Sequence, residues 1–447
     1  MKLFIHRKDL RTEDLVAFDY LKETGEPVLH LLILDPFLLQ KGRDQEHSGV
    51  NFLRHVVRLR KLYDQAGRTL HIAHGDPAEV LEGLLDQQKG GEHEIDEVVV
   101  HRDFTPYARE RDRKLKKAAE KHDAAFTPLM DTLMIDLDRF AEFTGKDGYY
   151  KVFAAFHKKW LEYLAHSPNE PSSVSLGDLK KSEAKFELPE KYQPSLNLDD
   201  LEPADEWEDK LADFLEHDIR EYGDKRDYYP ELPASGVNPH VNAGAVSLRE
   251  LYARAKRRDG HDEWVRQLSF RDFYYYLAIY DENYFSYEKK YDLSALTDEH
   301  FEKWAKGQTG MPVIDAAMRQ LNETGLMPNR LRILCAMFLT KNLQCPFTLG
   351  ENYFRRKLLD YDNIQNRGNW LWCASLGANS APYFRVVNPV TQSEKYDPNG
   401  EHIREWLPEL ADEDVKTVHK PRKDAIVDLK ASRAAAIETY KGIVNGK

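Results

Sequence analysis

Short apolar runs alternate with amphipathic stretches through the first 130 residues, and no other feature restricts the possible folds as strongly. The runs KLFIH, PVLHLLILD, TLHIAHGD and EIDEVVVH are typical of buried strands, and GVNFLRHVVRLRKLYDQ and AEVLEGLLDQQ, which fall between them, have the periodicity of helices. Strands that are apolar on both faces and separated by helices form parallel sheets covered by helices on both sides. We therefore predict a doubly wound α/β domain over residues 1–130.

A polar segment and then a purely helical pattern follow. Between about 165 and 205 the chain is rich in Pro and Ser and has no periodicity, as is typical of a long surface connector. From about 205 onward, WEDKLADFLEHDIREY, VSLRELYARAKRR, PVIDAAMRQLNETG and NRLRILCAMFLTKNL have helical periodicity, and no stretch alternates as a strand does. We predict a connector over residues 131–204 and an all-α domain over residues 205–447.

Composition excludes several classes of protein. The three cysteines are widely spaced, which favours a reducing, cytoplasmic compartment and argues against a disulfide framework or a four-cysteine metal site. No apolar run approaches the ~18 residues of a membrane span, and the start is too polar for a secretory signal. A net charge of −12 argues weakly against general nucleic-acid binding but leaves room for a local basic face. We expect neither a metal nor a membrane partner.

The run DNIQNRGNWLWCASLG, residues 362–377, places amides beside indoles. A buried amide costs free energy unless a hydrogen bond compensates it, and the partner is either main chain or a planar ligand with polar edges. If the run is helical, Asn366 and Trp370 lie one turn apart on one face. Gly368 between them allows something to approach the main chain closely. A buried Trp cluster with a satisfied Asn is the structural alternative.

Two earlier stretches carry further candidates. Residues 222–247 are rich in Gly, Pro and Asn and lead into a helix whose N-terminus can bind an anion, unless this is an ordinary interhelical loop. Extra donors in that stretch are Ser235, Asn238 and Arg226. Along WVRQLSFRDFYYYLAIYDENYF, one helical face combines aromatic, amide and guanidinium groups, which is either a ligand wall or an aromatic core stripe. Its members are Trp264, Gln267, Phe270, Arg271 and Tyr274.

Arg332 lies in the apolar segment MPNRLRILCAMFLTKNL, close to Asn329 and Arg330. A guanidinium on a largely buried helix requires an acidic partner, and Asp360 in RKLLDYDN is the candidate. The pair is either an internal ion pair or a brace for a ligand site.

Taken together, these stretches resemble the photolyase/cryptochrome family, and the resemblance covers essentially the whole chain. The most specific motifs are GQTGMPVIDAAMRQLNETGLMPNRLR, GNWLWCASLGANSAPYFRVVNPVTQSEKYDPNG and EHIREWLPEL, with HRKDLRTEDLVAF near the start and YYKVFAAFHKKW in the connector. Among its members, the chain is most similar to bacterial enzymes that act on cyclobutane pyrimidine dimers. The resemblance implies an antenna-type α/β domain followed by a helical domain that binds FAD.

The resemblance also implies roles for individual residues. The FAD phosphates and sugars would contact Tyr222, Ala234, Ser235, Gly236, Val237, Asn238, Trp264, Gln267 and Arg271. The isoalloxazine ring would be surrounded by Asn329, Arg332, Asp360, Tyr361, Asp362 and Asn366. Asn366 would face the flavin N5, where an amide helps to set the stable redox state, and Trp370 would be the residue nearest the flavin in photoreduction. With Gln267 at the lesion, Asn366 and Trp370 form the implied catalytic set.

The implied function is a light-driven DNA repair lyase for cyclobutane pyrimidine dimers, acting as a monomer on UV-damaged DNA. A flipped-out dimer needs an aromatic pocket and cations for the phosphates. The residues that would bind DNA are Arg226, Gln267, Phe270, Asn329, Arg330, Trp372 and Gln392. An FAD-binding blue-light photoreceptor without repair activity is the alternative, and a non-photochemical electron-transfer flavoprotein is a more remote one.

Several positions depart from the family's usual dimer-repairing pattern. Gln267 stands where a carboxylate usually contacts the lesion, and Phe270 stands where a Trp is usual. The two outer members of the family's electron-transfer Trp chain are replaced by Phe347 and Ser294. Photoreduction would then need another route, for which the candidates are Tyr291, Tyr284 and Trp304.

Three further features bear on subclass and on a second chromophore. Pro328 argues against repair of the (6–4) photoproduct, and the low cysteine count argues against an iron–sulfur cluster. Ala108 replaces the acid that usually contacts folate, which leaves a flavin, a deazaflavin or no antenna as the alternatives.

Overall fold

A computed structural model describes residues 1–91, 94–183, 186–194, 196–230 and 234–446. The chain forms two compact units that interleave along the sequence. The first unit comprises Met1–Asp147, Lys159–Leu211 and Gly236–Arg257, and the second comprises Gly148–Lys158, Ala212–Ser235 and Arg258–Lys447. The sequence analysis predicted continuous domains with boundaries at residues 130 and 204, whereas each compact unit consists of three separate segments. The domain boundaries stay a prediction.

The first unit contains a parallel sheet of five strands in the order β3-β2-β1-β4-β5. These strands are β1 (Lys2–His6), β2 (Val28–Leu34), β3 (Leu70–His74), β4 (Glu97–His101) and β5 (Ala125–Leu129). The doubly wound fold predicted from the sequence is confirmed, and four of the strands fall on the four predicted runs. The sequence analysis missed β5, because AFTPL is short, partly exposed and contains Pro128 at the sheet edge.

Alternating residues of β1 fill cores on both faces of this sheet. Phe4 belongs to a cluster with Phe18 and Val56, whereas Leu3 and Ile5 belong to a cluster on the other face. All three β1 side chains are buried, which is why the strand appears in the sequence as an uninterrupted apolar run.

The helices follow in chain order. Those up to the connector are α1 (Val16–Thr24), α2 (Pro36–Leu39), α3 (His47–Gln65), α4 (Pro77–Gln88), α5 (Pro106–Lys121), α6 (Leu137–Thr144) and α7 (Phe153–His166). The next are α8 (Glu208–Asp213), α9 (Tyr222–Lys225), α10 (Asn238–Ala243), α11 (Leu248–Ala255), α12 (Asp262–Tyr280), α13 (Phe301–Ala305) and α14 (Pro312–Thr324). The last are α15 (Asn329–Met337), α16 (Phe347–Lys357), α17 (Asn363–Cys373), α18 (Pro389–Tyr396), α19 (Glu401–Trp406), α20 (Val415–Val418) and α21 (Leu429–Asn445).

The first part of the predicted connector contains α6 and α7, and its polar remainder, residues 167–204, has only short turns of 3₁₀-helix in its described part, at Leu176–Asp178, Glu190–Tyr192 and Leu198–Asp200. Each turn buries one apolar residue against the sheet domain: Leu176, Tyr192 and Leu198. The Tyr192 hydroxyl also donates to the Glu79 carbonyl at 2.7 Å. A few buried anchors therefore fix a segment that is otherwise polar.

The described part of the second unit contains helices and turns but no strand, as predicted. Its core centres on α14, α15 and α17, and two helical segments widen into a π-helix, at Phe214–Asp218 and Phe338–Asn342. No helix within the described ranges is long and apolar enough to cross a membrane. Across the same ranges, no group of His, Cys, Asp or Glu side chains is arranged to hold a metal ion.

Candidate functional site

The first turn of α17 is fixed by a buried carboxylate. Asp362 caps the helix by accepting from the Gln365 N–H at 2.9 Å, and it also accepts from the Tyr275 hydroxyl at 2.7 Å. The Arg271 guanidinium lies over the Tyr275 ring, 4.4 Å from its centroid. Arg271 and Asp362, which the sequence analysis assigned to one site, are thus joined through Tyr275 across α12 and α17.

Arg332 and Asp360 form the ion pair that the sequence predicts. Arg332 Nη2 lies 2.9 Å from Asp360 Oδ2, and Arg332 Nε donates to the Met327 carbonyl at 2.7 Å. The side chain of Asp360 is 6% exposed and that of Arg332 is 25% exposed. The carboxylate is therefore shielded from water, whereas the guanidinium is partly accessible. A cation held in this way has a fixed position but keeps donors on an accessible edge.

Asn366 and Trp370 lie one turn apart on α17, as predicted. The Asn366 Nδ2 donates to the Glu351 carbonyl at 3.1 Å, so main chain orients the amide. Trp370 is 2% exposed and packs edge-on against Phe354, with ring centroids 5.1 Å apart. Both observations match the structural alternative, a buried Trp beside an amide that main chain holds, and a ligand contact of Asn366 stays a prediction.

Gly368 does permit a close approach to the main chain of α17, and the group that approaches is an aromatic side chain. A Cβ at this position would overlap the ring of Tyr274 and the hydroxyl of Tyr284. The glycine therefore lets α12 pack tightly on α17.

The proposed face of α12 is present, and its members differ in environment. Trp264 is buried, with its ring 5.9 Å from that of Phe214. The Gln267 Nε2 donates to the Glu263 carbonyl at 2.9 Å. Phe270 stacks on Phe153 with a centroid separation of 3.4 Å and an interplanar angle of 9°. The ring of Phe270 therefore already has one aromatic partner.

The two proposed phosphate-binding arginines both have acidic neighbours. Arg226 lies 3.6 Å from a Glu263 carboxylate oxygen, and Arg330 pairs with Asp227. Both side chains are about 30% exposed, at 30% and 29% respectively, so both keep donors at the surface. The Arg330 guanidinium also lies over the Tyr396 ring at 4.9 Å.

The remaining predicted site residues differ in how far they are exposed. Asn329 is exposed at the start of α15, and Trp372 is half-buried with the Arg385 guanidinium 5.5 Å from its centroid. Tyr361 and Gln392 are half-buried. Burial raises the pKa of Tyr222, which keeps its phenol protonated.

Along the sequence, the chain passes from the second unit to the first within the proposed anion-binding loop. Ala234 and Ser235 belong to the second unit, whereas Gly236, Val237 and Asn238 belong to the first. Ser235 is buried, Gly236 has a positive φ of 67°, and Asn238 is exposed at the start of α10. The three residues before Ala234 lie outside the described residues.

The sequence analysis missed a buried arginine in the middle of α17. Arg367 pairs with Glu351 at 2.8 Å and with Glu288, and it donates to the Tyr284 carbonyl at 3.1 Å. Burial raises the pKa of Glu351, and the Arg367 charge opposes that rise. The position of Arg367 within a run of amides and indoles indicates burial. Its acidic partners could not be identified from the sequence, because they lie 79 and 16 residues away.

Comparison with known proteins agrees with this architecture. The family model described as the FAD binding domain of DNA photolyase matches residues 264–445, and the one described as DNA photolyase matches residues 2–173. The chain belongs to the photolyase/cryptochrome family. It is 32% identical to the deoxyribodipyrimidine photo-lyase of Thermus thermophilus over 99% of this chain and 98% of that protein. The Vibrio cholerae photo-lyase is 29% identical over 99% of both chains.

Solved photolyases have the same fold. The archaeal photolyase from Sulfolobus tokodaii, whose structure contains two FAD molecules, superposes with a TM-score of 0.82 at 29% identity and covers 99% of both chains. A bacterial class III photolyase from Agrobacterium tumefaciens gives a TM-score of 0.81 at 26% identity, over 99% of this chain and 97% of that one.

The side chains of the second unit fit the flavin that this domain of the photolyase/cryptochrome family binds. The guanidinium groups of Arg271 and Arg332 supply cations for anionic or carbonyl oxygens, and the Asn366 amide supplies a second N–H and an oxygen. The aromatic and aliphatic core around α15 and α17 adds an apolar wall. A few polar groups together with an apolar wall are typical of cofactor sites.

Proposed function

We propose that this protein is a light-dependent lyase that splits cyclobutane pyrimidine dimers in UV-damaged DNA with reduced FAD as its cofactor. The observation that carries the proposal is the match of almost the whole chain to deoxyribodipyrimidine photo-lyases at about 30% identity. The Arg332–Asp360 ion pair and the anchored Asn366 amide of the helical unit are consistent with it.

The cofactor, when bound and reduced, supplies on illumination one electron that opens the dimer and is then returned. The contribution of the chain is to position groups. Asp362 and Tyr275 fix the start of α17 and hold Arg271, which would bind FAD phosphate. Asn366, anchored through one N–H on Glu351, would present its second N–H or its Oδ1 to the flavin N5. The Arg332–Asp360 pair would lie beside the ring system.

The remaining cofactor contacts are proposed as the resemblance assigns them. The phosphates and sugars would contact Tyr222, Ala234, Ser235, Gly236, Val237, Asn238, Trp264 and Gln267, and the ring system would contact Asn329, Tyr361 and Asp362. A second chromophore, if present, would be a flavin or a deazaflavin, because Ala108 is fully buried in α5 and has no polar group for folate.

Flipping a pyrimidine dimer out of duplex DNA costs less free energy than flipping out an intact base. Trp372 and Phe270 would form walls of the pocket. The Gln267 amide has one N–H on the Glu263 carbonyl, which leaves its second N–H and its oxygen for the pyrimidine edge. Arg226 and Arg330 would hold phosphates, and Asn329 and Gln392 would add neutral contacts. We propose that the protein works as a monomer in the cytoplasm.

The decisive experiment measures blue-light repair of a cyclobutane thymine dimer in a short oligonucleotide. The protein is first reduced with dithionite, so that a defect in photoreduction cannot conceal repair activity. Repair that requires both light and protein would support the proposal. Absence of repair in protein that contains reduced FAD and binds the oligonucleotide would contradict it and favour a blue-light photoreceptor, for which the departures at Gln267 and Phe270 are the motivation.

A further inference from the structure

Three redox-active rings lead away from the helix that carries Asn366. The centroid of Trp370 lies 6.2 Å from that of Trp304, and the centroid of Trp304 lies 5.8 Å from that of Tyr353. Trp370 and Trp304 are 2% and 0% exposed, whereas Tyr353 on α16 is half-buried and reaches the surface. Phe354 fills the angle between the two indoles. The rings therefore form a continuous contact path from the core to solvent.

We propose that Trp304 and Tyr353 supply the electron that refills Trp370 when light reduces the bound flavin. This inference rests on the proposed function, because only there does Trp370 stand next to the flavin. Electron transfer weakens steeply with distance, and adjacent rings in contact therefore outcompete any route that must cross aliphatic side chains. The route defined by Trp370, Trp304 and Tyr353 is the aromatic relay.

The positions that the family uses for its outer tryptophans are unsuited to the same task in this chain. Ser294 has no ring, and the Phe347 ring is difficult to oxidise.

The surroundings of Trp304 favour a transient positive charge. Its Nε1–H donates to the Cys335 carbonyl oxygen at 3.0 Å, deep in the core. The negative end of a carbonyl dipole at the indole N–H stabilises the oxidised ring, and it does so strongly in a medium of low dielectric constant.

Tyr353 is suited to end the relay. Its hydroxyl donates towards the Asn322 Oδ1 at 2.5 Å and the Ala305 carbonyl at 3.0 Å. An oxidised phenol is a strong acid and must lose its proton, and a half-buried tyrosine can release that proton to water. Loss of the proton prevents rapid return of the charge to Trp304.

The other tyrosine candidates are placed less well. Tyr284 is buried, its hydroxyl donates to the Ile364 carbonyl at 2.7 Å, and burial raises its pKa well above the usual value. Its ring partner is Phe285, at 5.1 Å. Tyr291 stacks with Tyr287 at 6.4 Å. These contacts lead to phenylalanine or to another tyrosine, whereas Trp304 contacts Trp370 directly.

The aromatic relay would consume one electron from solution for each electron that reaches the flavin. One electron passes from Trp370 to the photoexcited oxidised flavin, and Trp304 and then Tyr353 each pass one electron inward. Tyr353 loses its phenolic proton to water and becomes a neutral radical. A reductant in solution, of the thiol or ascorbate class, returns one electron and one proton to Tyr353, so the net result is transfer of one electron from that reductant to the flavin.

The test uses purified protein with bound oxidised FAD and records radicals after a blue flash, by electron paramagnetic resonance and transient absorption. We expect a tyrosyl radical in the wild type that is lost in Tyr353→Phe, a change that removes only the hydroxyl. Tyr291→Phe is the matched control and should retain the radical. A tyrosyl radical of unchanged spectrum and yield in Tyr353→Phe would overturn the proposal.

A second pair of variants tests the middle of the relay. Trp304→Phe, with flavin binding verified by absorbance, should lose the tyrosyl radical. Adding Phe347→Trp and Ser294→Trp to Trp304→Phe should restore light-driven flavin reduction through another path. Repair by wild-type protein reduced with dithionite tests the proposed function separately, so a failure of the aromatic relay and a failure of repair are distinguishable. A full radical yield in Trp304→Phe would exclude Trp304.

Discussion

Among the proposed site residues of the second unit, two amides have their orientation fixed by main chain. Asn366 and Gln267 each donate one N–H to a carbonyl, of Glu351 and Glu263 respectively. An anchored amide loses little side-chain entropy when a ligand binds to its other end, and it cannot rotate to avoid a poor partner. At the scale of single residues, therefore, both amides are prepared to recognise a ligand edge.

Replacing Asn366 by Asp should change which flavin redox state is stable. The carboxylate accepts but does not donate, so it would lose the bond to the Glu351 carbonyl and would place a negative charge near the ring. We expect a shifted flavin absorbance spectrum and a lower reduction potential, measured by spectroelectrochemistry. An unchanged spectrum and potential would contradict the role of Asn366 at N5. Asn352→Asp is the matched control, since Asn352 is exposed and its amide donates to the Thr348 carbonyl.

At the scale of elements, the packing of α12 on α17 would determine the shape of the proposed flavin site. The contact depends on Gly368, on the Tyr275–Asp362 hydrogen bond and on the Tyr274 hydroxyl, which donates to Asn369 Oδ1 at 3.1 Å. Because α12 carries Arg271 and α17 carries Asn366, any increase in their separation would misalign the groups proposed to bind the two ends of FAD.

The substitution Gly368→Ala should destabilise the second unit even though alanine favours helix. A Cβ would overlap Tyr274 and Tyr284, and overpacking of a core commonly costs about 1–3 kcal/mol. The matched control is Gly442→Ala in α21, where a Cβ meets nothing within 4 Å, and this change should stabilise the helix by about 1 kcal/mol. Urea denaturation of both variants measures the change that each substitution causes in the free energy of unfolding. Equal effects of the same sign would show that the contact with α12 is unimportant.

At the scale of the whole molecule, stability should depend on pH through one buried lysine. Lys341 is fully buried, donates to the Ser375 hydroxyl at 2.8 Å and lies 3.3 Å from the centroid of the Tyr440 ring. Burial lowers the pKa of Lys341 from 10.5 to about 7. The lysine therefore takes up a proton on unfolding whenever the pH lies between these two values.

We accordingly expect the free energy of unfolding to rise with pH above about 7 because of Lys341. Between the two pKa values of Lys341 the unfolded state binds more protons than the folded state, so the free energy of unfolding rises by at most about 1.4 kcal/mol per pH unit. Below the lower value the lysine is protonated in both states, and it makes the free energy of unfolding no more dependent on pH. Denaturation of wild type and Lys341→Met from pH 6 to 9.5 isolates the contribution of Lys341 to the pH dependence of the free energy of unfolding. Lys306→Met, at an exposed lysine paired with Glu302, should leave the wild-type slope unchanged. Parallel curves for wild type and Lys341→Met would refute the prediction.

DNA binding is the second property of the whole molecule. The chain has a net charge of −12, so binding to a polyanion depends on a local set of cations. Affinity should fall steeply with salt, and Arg330→Gln should weaken binding for all sequences and reduce the logarithmic salt slope by about 1. Titrations of a dimer-containing oligonucleotide at several salt concentrations measure the slope. Arg319→Gln, at an exposed pair with Glu409, is the control. A flat salt profile would contradict the phosphate contacts.

The sequence by itself determined the architecture and supplied the residues of the proposed site. Buried parallel strands must be apolar on both faces, so β1, β2, β3 and β4 were visible as short runs, and the helical second half was visible as periodicity. The pairing of Arg332 with Asp360 was predictable because a guanidinium in an apolar helix requires a nearby acid. The edge strand β5 was not predictable from the sequence, because a strand with half-exposed residues need not be apolar on both faces.

Only the tertiary structure decided which groups share a neighbourhood. It assigned the close approach at Gly368 to Tyr274 and Tyr284, gave Arg367 its distant acidic partners, and showed that Arg226 and Arg330 both lie beside carboxylates. It also brought Trp304 and Tyr353, which are 49 residues apart in number, into one path with Trp370. The physical reason is that periodicity records burial, which acts on each residue alone, whereas contacts between distant residues depend on how helices pack.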